Sequence, residues 1–400
     1  MLTEFILIGA GYATYKNLDK LQIRRKWKQI CFSKSEFTNK LGKSLKILQI
    51  SKTDYGHIIK IELPYSFSFE QLESSLNIFK EGLGYNSIQL EHIGNIVTMY
   101  CINNFNFKEY DPIKLTPNKI LIGDSVTHPI IVDMNKFPHV LVGGDTGTGK
   151  SRILLLILTN LINTCPDVEI YLMQIRKSDL SVFKNCKQVK FNATTLEDVY
   201  KTLNKIDKIC EERERLIDAS KGYYNIADYN KYNKKLNYIY VVIEEFSMLN
   251  PAKGDDSNTK CLKNKCLKYI KNIANVGRSS GVFLITSLQK PTSSSIPADI
   301  KGQLCTRISL KIADSQPAIV VMGNAAATKL QEREFICRTL TEEKGFSYTI
   351  DHKLVIENIK NSIVENKNTE SKPYIPAPTN APIPPKGIEG IMEVLHEINK

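Results

Sequence analysis

A glycine-rich stretch in the middle of the chain has the residue types and the spacing that bind phosphate. Gly144, Gly149, Lys150 and Ser151 satisfy the pattern G-x-x-x-x-G-K-[ST]. Glycines let backbone N–H groups curl around phosphate oxygens, and a helix that begins there directs its positive end at them. The lysine of this pattern reaches the β- and γ-phosphates of a nucleoside triphosphate, and the serine hydroxyl binds Mg²⁺. The residues expected to bind the nucleotide are Gly144, Asp145, Thr146, Gly147, Thr148, Gly149, Lys150 and Ser151.

Two adjacent carboxylates further along the chain have the residue type that binds a metal ion and activates a water. Glu244 and Glu245 close the apolar run in YVVIEEFSML, and acids at the end of a buried strand are costly unless positive charge lies opposite. Beside a triphosphate, Glu244 is expected to hold the Mg²⁺ shell together with Ser151, and Glu245 to orient and deprotonate the attacking water. Taken alone, the pair would instead indicate an exposed strand end with solvated acids.

The strands and helices that position these residues are predicted by apolar patterns in the sequence. The glycine-rich motif lies between an apolar strand and a helix of apolar periodicity, which is the context that it requires. From Pro117 onward strands alternate with helices, and this alternation predicts an α/β fold with a mostly parallel sheet. The expected strands are 139–143, 168–175, 238–245, 281–288 and 306–312.

Four segments are predicted along the chain. Residues 1–44 form a basic N-terminal segment in which a solvated face is favoured over a DNA-binding arm. Residues 45–115 form a small α+β module, with strands in LKILQIS, HIIKIELP, SIQLEHI and NIVTMYCI and a helix that begins at Ser68. Residues 116–365 form the nucleotide-binding domain. Residues 366–400 form a Pro-rich linker and a short helix, for which core packing and partner docking are both open.

The composition of the chain indicates the class of its partner and its location in the cell. The 400-residue chain is 42% hydrophobic and has a formal net charge of +12, which favours an anionic partner such as nucleic acid. Its nine cysteines include no C-x-x-C pair, so reduced thiols in a cytoplasmic protein are expected rather than a zinc site. The start, MLTEFILIGAGYATYKN, falls short of the about 20 apolar residues that span a bilayer. No membrane span is expected, and membrane association through a partner or the N-terminal segment is the alternative.

One further motif points to a different class of nucleotide hydrolase. NKID at Asn204–Asp207 matches the N-K-x-D pattern by which small GTPases recognise guanine. Here the pattern lies inside LEDVYKTLNKIDKICEERERLI, which has helical periodicity, and it precedes the acidic strand. A GTPase switch is therefore rejected, although guanine specificity stays open.

Longer stretches resemble the FtsK/SpoIIIE motor ATPases. The block LIGDSVTHPIIVDMNKFPHVLVGGDTGTGKS, with Asp133, Pro138 and His139 in its lead-in, is similar to the phosphate-binding block of that family. Similar family blocks follow in order. They are ICEERERLI, YNIADYNK, NIANVGRSSGVFLITSLQKP and IKGQLCTRISLKIADSQPAIVVMGNAAATKL, so the resemblance covers residues 117–340.

The resemblance implies a RecA-like P-loop NTPase domain that forms a hexameric ring and moves DNA with ATP. Gln289 matches the polar sensor of the γ-phosphate, and Arg278 matches an arginine that reaches the nucleotide of the next subunit. A surface arginine favoured by the helix dipole is the alternative for Arg278. Three features depart from the family: Glu244 replaces an Asp, SLQKP lacks a Thr of the corresponding family block, and Asp145 adds a negative charge to the phosphate loop. The Asp145 carboxylate must point away from the phosphates or pair with another group.

The layout looks most like the FtsK-like coupling proteins of Gram-positive conjugative elements. An ATP-hydrolysing DNA translocase is expected, with double-stranded DNA preferred over single-stranded DNA, a homo-hexameric assembly, and a relaxase or transfer-channel protein as a further partner. A nucleotide-gated scaffold that binds DNA or relaxase, and a secretion ATPase that moves protein, are the alternatives. A group of lysines on one helical face is expected to line the DNA path, with a solvated face as its alternative: Lys260, Lys263, Lys268 and Lys271.

Overall fold

The chain divides into two units, Met1–Phe107 and Lys108–Lys400. The computed structural model describes residues 2–38, 42–105, 107–175, 179–220, 222–233, 235–289, 291–292 and 294–364, with side chains from residue 18 onward except that of residue 36. The domain boundaries expected at residues 44, 115 and 365 stay predictions, and the predicted linker and helix at 366–400 lie outside the described residues. Among the helices within these ranges, none is both long and apolar enough to cross a membrane.

The first unit is a four-stranded antiparallel sheet with helices packed on it. Its strands follow the order β1-β2-β4-β3, and the four strands expected from the sequence are confirmed. The helix predicted from Ser68 is two helices, because Ser75 (φ −93°, ψ 5°) interrupts it. The elements are α1 (Leu2–Ser33), β1 (Lys46–Lys52), β2 (Gly56–Glu62), α2 (Phe69–Ser74), α3 (Leu76–Leu83), β3 (Ser87–Ile93) and β4 (Ile96–Ile102).

Helix α1 supplies part of the core of this unit. Trp27 is buried against Phe79, with ring centroids 4.7 Å apart, and its indole Nε1 donates a hydrogen bond of 2.9 Å to the Leu45 carbonyl. The basic residues on either side of this position, Arg25 and Lys28, are exposed. The basic stretch is therefore the solvated side of a helix whose other side is packed.

The second unit is built on a ten-stranded sheet in the order β6-β5-β14-β13-β12-β7-β11-β10-β8-β9. Neighbours from β12 to β9 are parallel, and neighbours from β12 to β6 are antiparallel. The elements are β5 (Lys119–Asp124), β6 (Pro129–Asp133), β7 (Val140–Gly143), α4 (Lys150–Thr164), β8 (Glu169–Met173), β9 (Val189–Ala193), α5 (Leu196–Ala219), α6 (Ile226–Tyr232), β10 (Ile239–Ile243), α7 (Ser257–Ser280), β11 (Val282–Leu288), α8 (Ala298–Gln303), β12 (Thr306–Leu310), α9 (Ser315–Met322), β13 (Glu334–Arg338), β14 (Glu342–Phe346) and α10 (His352–Ile359).

Both faces of the parallel half are covered, which explains its continuous apolar runs. In β10, Tyr240 and Val242 pack in the cluster that includes α4, whereas Ile239, Val241 and Ile243 pack in the cluster that includes α5 and α7. The five strands expected from these runs are confirmed and are all parallel. The NKID motif lies within α5, so it is helical and does not follow a strand as a guanine-reading motif does.

A buried histidine joins the start of β7 to its neighbours. His139 has a positive φ of 62° and accepts a hydrogen bond at Nδ1 from the Leu284 backbone N–H (3.0 Å). Its Nε2 must therefore carry the proton and donate to the Ala274 carbonyl (3.1 Å). A side chain at Gly277 would collide with the imidazole and with the Val282 carbonyl, so this position requires glycine. The imidazole is therefore neutral, because one ring nitrogen accepts a hydrogen bond and the other donates one.

Acid is expected to destabilise the fold through His139. Burial lowers its pKa from 6.5 to about 4, so between these values the unfolded chain binds a proton that the folded chain does not. Stability from this group is complete above pH 6.5 and is lost as pH falls towards 4, by about 2 kcal/mol between pH 7 and pH 5. Urea unfolding at both pH values should show this loss. The variant His139→Asn should be less stable at pH 7 but should lack that part of the pH dependence, and an identical pH slope in both proteins would contradict the assignment.

Candidate nucleotide-binding site

The phosphate-binding loop connects β7 to α4 at the carboxyl edge of the parallel strands. Two of its glycines have left-handed backbones, Gly147 with φ 83° and Gly149 with φ 109°, and these conformations favour glycine. A Cβ on Gly144 would lie 2.7 Å from the Thr148 hydroxyl oxygen. That hydroxyl donates to the Asp145 carbonyl at 2.8 Å and closes the turn. The glycines at these three positions are therefore favoured by the shape of the loop itself.

Lys150 lies under the loop rather than in solvent. Its ammonium group donates to the carbonyls of Gly144 and Asp145, both at 2.7 Å, and the residue is only 7% exposed. This position holds the charge beside the turn into which a triphosphate would fit. Phosphate oxygens are stronger acceptors than carbonyls for an ammonium group, so a bound nucleotide would draw the same group onto its phosphates.

The extra acid of the loop has a backbone partner. The Asp145 carboxylate accepts a hydrogen bond of 2.7 Å from the Ala313 N–H, and the Asp145 N–H donates to the Lys311 carbonyl at 3.1 Å. The negative charge is thus directed to the segment after β12. Thr146 and Gly147 are exposed at the tip of the loop.

The two carboxylates follow β10, whose carboxyl end lies at the same edge as the loop because β7, β11 and β10 are parallel neighbours. Glu244 is 5% exposed and Glu245 9% exposed. The Glu244 N–H donates to the Met173 carbonyl at 3.1 Å, and its own carbonyl accepts from the Ser287 hydroxyl. These bonds attach the acidic turn to the strands on both sides.

Glu245 is oriented by two groups. One carboxylate oxygen accepts from the Ser247 hydroxyl at 2.6 Å, and the other accepts from the Gln289 backbone N–H at 3.0 Å. Gln289 follows β11, the strand between β7 and β10, so it lies between the phosphate loop and the acidic pair. Each carboxylate oxygen has a second lone pair, which leaves acceptor capacity for a water. This geometry suits a base that is held in one orientation.

The hydroxyl of Ser151 has a hydrogen-bond partner that is not predicted from the sequence. It donates a hydrogen bond of 2.7 Å to the carboxylate of Asp179, which follows β8. Asp179 belongs to no motif, and in the sequence only its position beyond a predicted strand end could have suggested it.

Arg278 lies apart from these residues. It is in the last turn of α7, which leads through Gly281 into the start of β11, and therefore at the amino edge of the parallel strands. It is exposed, and its Nε donates to the Asn135 carbonyl at 2.9 Å. The structure thus brings together the loop, both glutamates and Gln289, and places Arg278 at the opposite edge.

The donor set fits Mg²⁺ and a triphosphate. Mg²⁺ is bound in proteins through one or two carboxylates together with substrate phosphates and water, and the hydroxyl of Ser151 and the carboxylate of Glu244 are oxygen donors of this kind. Within the described ranges, no group of three or more His, Cys, Asp or Glu side chains is placed to enclose a metal ion. A metal that enters together with the phosphates suits these residues better than a metal enclosed by protein alone.

Sequence comparison finds the same family along this region. The family model described as the FtsK/SpoIIIE family matches residues 114–293. The DNA translocase FtsK of Staphylococcus epidermidis is 28% identical over 251 residues, which are 59% of this chain and 30% of that protein. The DNA translocase FtsK of Oceanobacillus iheyensis is 26% identical over 219 residues, 51% of this chain and 27% of that protein. The chain thus spans less than a third of the length of these curated relatives.

Solved structures share the fold. The pCW3 conjugation coupling protein TcpA, in a monomer form with ATPγS, aligns with a TM-score of 0.62 and 21% identity, over 85% of this chain and 99% of that chain. EssC (ATPases 2 and 3) from Geobacillus thermodenitrificans aligns with a TM-score of 0.54 and 16% identity, over 73% of this chain and 52% of that chain. The expected α/β fold with a mostly parallel sheet and a P-loop is confirmed. Over residues 114–293, this chain is similar to the FtsK/SpoIIIE family.

Proposed function

We propose that this chain is an ATP-driven DNA translocase that serves as a coupling protein in the conjugative transfer of a plasmid or an integrative element. The observation that carries the proposal is the nucleotide site, in which Lys150, Glu245 and Gln289 meet at one sheet edge within a domain shared with DNA translocases. The conjugative role is supported by the fold of the conjugation coupling protein, which aligns with most of this chain.

The residues divide the chemistry of ATP hydrolysis between them. The loop N–H groups and Lys150 would bind the phosphates, and Ser151 and Glu244 would hold Mg²⁺, which would neutralise phosphate charge. Glu245 orients a water whose oxygen attacks the γ-phosphorus. As that bond forms, the bond to the β–γ bridging oxygen breaks, and the proton of the water passes to the Glu245 carboxylate. Gln289 contacts the γ-phosphate through its side chain while its N–H holds the base.

Assembly into a homo-hexameric ring belongs to the same proposal. Arg278 lies at the edge of the sheet opposite to the phosphate loop of its own subunit, which supports its proposed contact with the nucleotide of a neighbouring subunit. A ring gives each nucleotide an arginine from a neighbour and encloses a path for double-stranded DNA. A relaxase or a transfer-channel protein would direct the DNA to this ring.

Two other functions use the same site. A secretion ATPase that moves protein is favoured by the fold shared with the cytoplasmic domain of the type VII secretion ATPase EccC of Thermomonospora curvata, which aligns with a TM-score of 0.51 and 19% identity. A scaffold that binds nucleotide without turnover is favoured by Glu244, which replaces the family Asp and is one methylene longer. These functions differ in their response to DNA.

The ATPase rate of the purified protein with and without double-stranded DNA separates them. A DNA translocase should hydrolyse ATP faster when DNA is added, and Lys150→Ala should reduce both rates to background. Hydrolysis that DNA leaves unchanged would favour movement of protein, and nucleotide binding without hydrolysis would favour the scaffold.

The surroundings of the lysines of α7 indicate which of them could contact DNA. Lys263 forms an ion pair of 2.8 Å with Asp255 and is 13% exposed, and Lys271 forms one of 2.7 Å with Asp299. Two of the four lysines expected on the DNA path are therefore paired with acids. A different set lines an open groove along the first half of the helix. It consists of Lys260, Lys265 and Lys268, together with Ser257, Cys261 and Asn264.

Replacing Lys260, Lys265 and Lys268 together by Ala is expected to weaken DNA binding. Each lysine that neutralises a phosphate contributes about one to the slope of log affinity against log salt, so the slope should become shallower by about three. Binding titrations at several salt concentrations measure it. Lys271→Ala, on the same helix but paired with Asp299, is the control and should change the slope little. Equal effects of the two variants would contradict this assignment of the surface.

A further inference from the structure

The pair formed by Ser151 and Asp179 joins two segments that are 28 residues apart. The Ser151 hydroxyl lies in the first turn of α4 and donates a hydrogen bond of 2.7 Å to the Asp179 carboxylate. No motif of the nucleotide site includes Asp179. The contact places a third carboxylate beside the hydroxyl that is expected to bind Mg²⁺.

Asp179 is exposed, but its backbone is anchored by its neighbours. The Leu180 N–H donates a hydrogen bond of 3.1 Å to the side-chain carbonyl of Gln174, which is 1% exposed. Leu180 itself is fully buried, and so is Phe183 one turn later. The Gln174 amide donates in turn to the Asn192 side chain, at the end of the adjacent strand β9. The position of Asp179 is therefore set by packed residues of the segment that follows β8 and by their contact with β9.

The hydrogen-bonding capacity of a serine hydroxyl indicates a role for this contact. A serine hydroxyl has one O–H donor and two lone pairs. When a lone pair faces a cation, the O–H must point away from that cation, and an acceptor on the far side fixes this orientation. Groups that orient metal ligands through hydrogen bonds change metal affinity by about 10- to 100-fold when they are removed.

We propose that Asp179 is a positioning residue of the nucleotide site, which accepts a hydrogen bond from the Ser151 hydroxyl and so directs a lone pair of that hydroxyl at Mg²⁺. This inference rests on the proposed function and extends it, because the metal shell then depends on the segment after β8 as well as on those after β7 and β10. Asp179 acts through Ser151 and not by contact with the phosphates.

The affinity for a fluorescent ATPγS analogue, with Mg²⁺ and with EDTA, tests the proposal. Asp179→Ala should weaken binding about tenfold in Mg²⁺ and leave binding in EDTA unchanged. Asp179→Asn keeps a carbonyl acceptor and should restore most of the affinity. The double variant Ser151→Ala/Asp179→Ala should bind no more weakly than Ser151→Ala alone, because the two residues act as one unit.

A control variant removes a carboxylate at a position far from Ser151. Asp167 is exposed and lies beyond the far end of α4, about 20 Å from Ser151. Asp167→Ala should bind like the wild type in both solutions. Equal losses with Mg²⁺ and EDTA in Asp179→Ala, full affinity in that variant, or additive losses in the double variant would overturn the proposal. Failure of the wild type to bind the analogue with Mg²⁺ would instead overturn the proposed function.

Discussion

Glu245→Gln is expected to bind ATP like the wild type and to hydrolyse it more slowly by about 10²- to 10⁴-fold, the range for loss of a general base. The substitution keeps the size of the side chain and one carbonyl acceptor, but removes the group that takes the proton of the attacking water. Lys150 and the phosphate loop are unchanged, so binding should persist. Single-turnover hydrolysis and equilibrium binding of ATPγS measure the two effects separately.

The contacts of Glu245 explain why the variant should remain folded. The amide oxygen of the new glutamine can accept from the Gln289 N–H, and its NH₂ group can donate to the Ser247 hydroxyl. Both bonds of the native carboxylate thus have a replacement. A loss of hydrolysis in this variant would then come from the missing base rather than from a displaced loop.

The adjacent acid provides the matched control. Glu244→Gln should weaken the dependence of binding on Mg²⁺, since Glu244 is expected to hold the metal shell, whereas Glu245→Gln should not. If Glu244→Gln abolished hydrolysis and Glu245→Gln left it intact, the roles of the two carboxylates would be reversed.

Arg278→Ala is expected to bind ATP normally and to lose about 10³- to 10⁵-fold in hydrolysis, the contribution of an arginine supplied by a neighbour. A guanidinium stabilises the charge that develops on the γ-phosphate in the transition state. Within one subunit Arg278 lies in the last turn of α7, just before β11 begins, and a strand of seven residues puts about 20 Å between it and the carboxyl edge. We therefore expect Arg278 to act on the nucleotide of another subunit.

Mixing two inactive variants tests this action between subunits. Lys150→Ala keeps Arg278 but cannot use nucleotide, and Arg278→Ala keeps an intact phosphate loop. In a mixed ring, some Arg278→Ala subunits receive the arginine of a Lys150→Ala neighbour, so part of the activity should return. A mixture that stays inactive although the two proteins co-assemble would show that Arg278 does not act between subunits. Absence of self-association with ATP and DNA would contradict the ring.

The parts of the site that could be predicted are those specified by a few consecutive residues. The glycines of the phosphate loop are required by its own backbone angles, and Lys150 and Ser151 follow from the same short pattern. Five of the six parallel strands, all but β9, could be predicted as apolar runs because both of their faces are buried. By contrast, β13 and β14 were not among the predicted strands, since polar residues such as Glu334 and Lys344 pair with each other along them.

The sequence by itself determined the nucleotide loop, the acidic pair and the α/β class, because each depends on local backbone geometry or on burial of one run of residues. Only the tertiary structure decided the partners of these groups. The insertion of β11 between β7 and β10 brings the Gln289 N–H to Glu245, the loop after β8 brings Asp179 to Ser151, and the direction of α7 carries Arg278 to the opposite edge. Strand order and helix direction depend on packing between segments that are distant in the chain, so no short stretch of sequence contains that information.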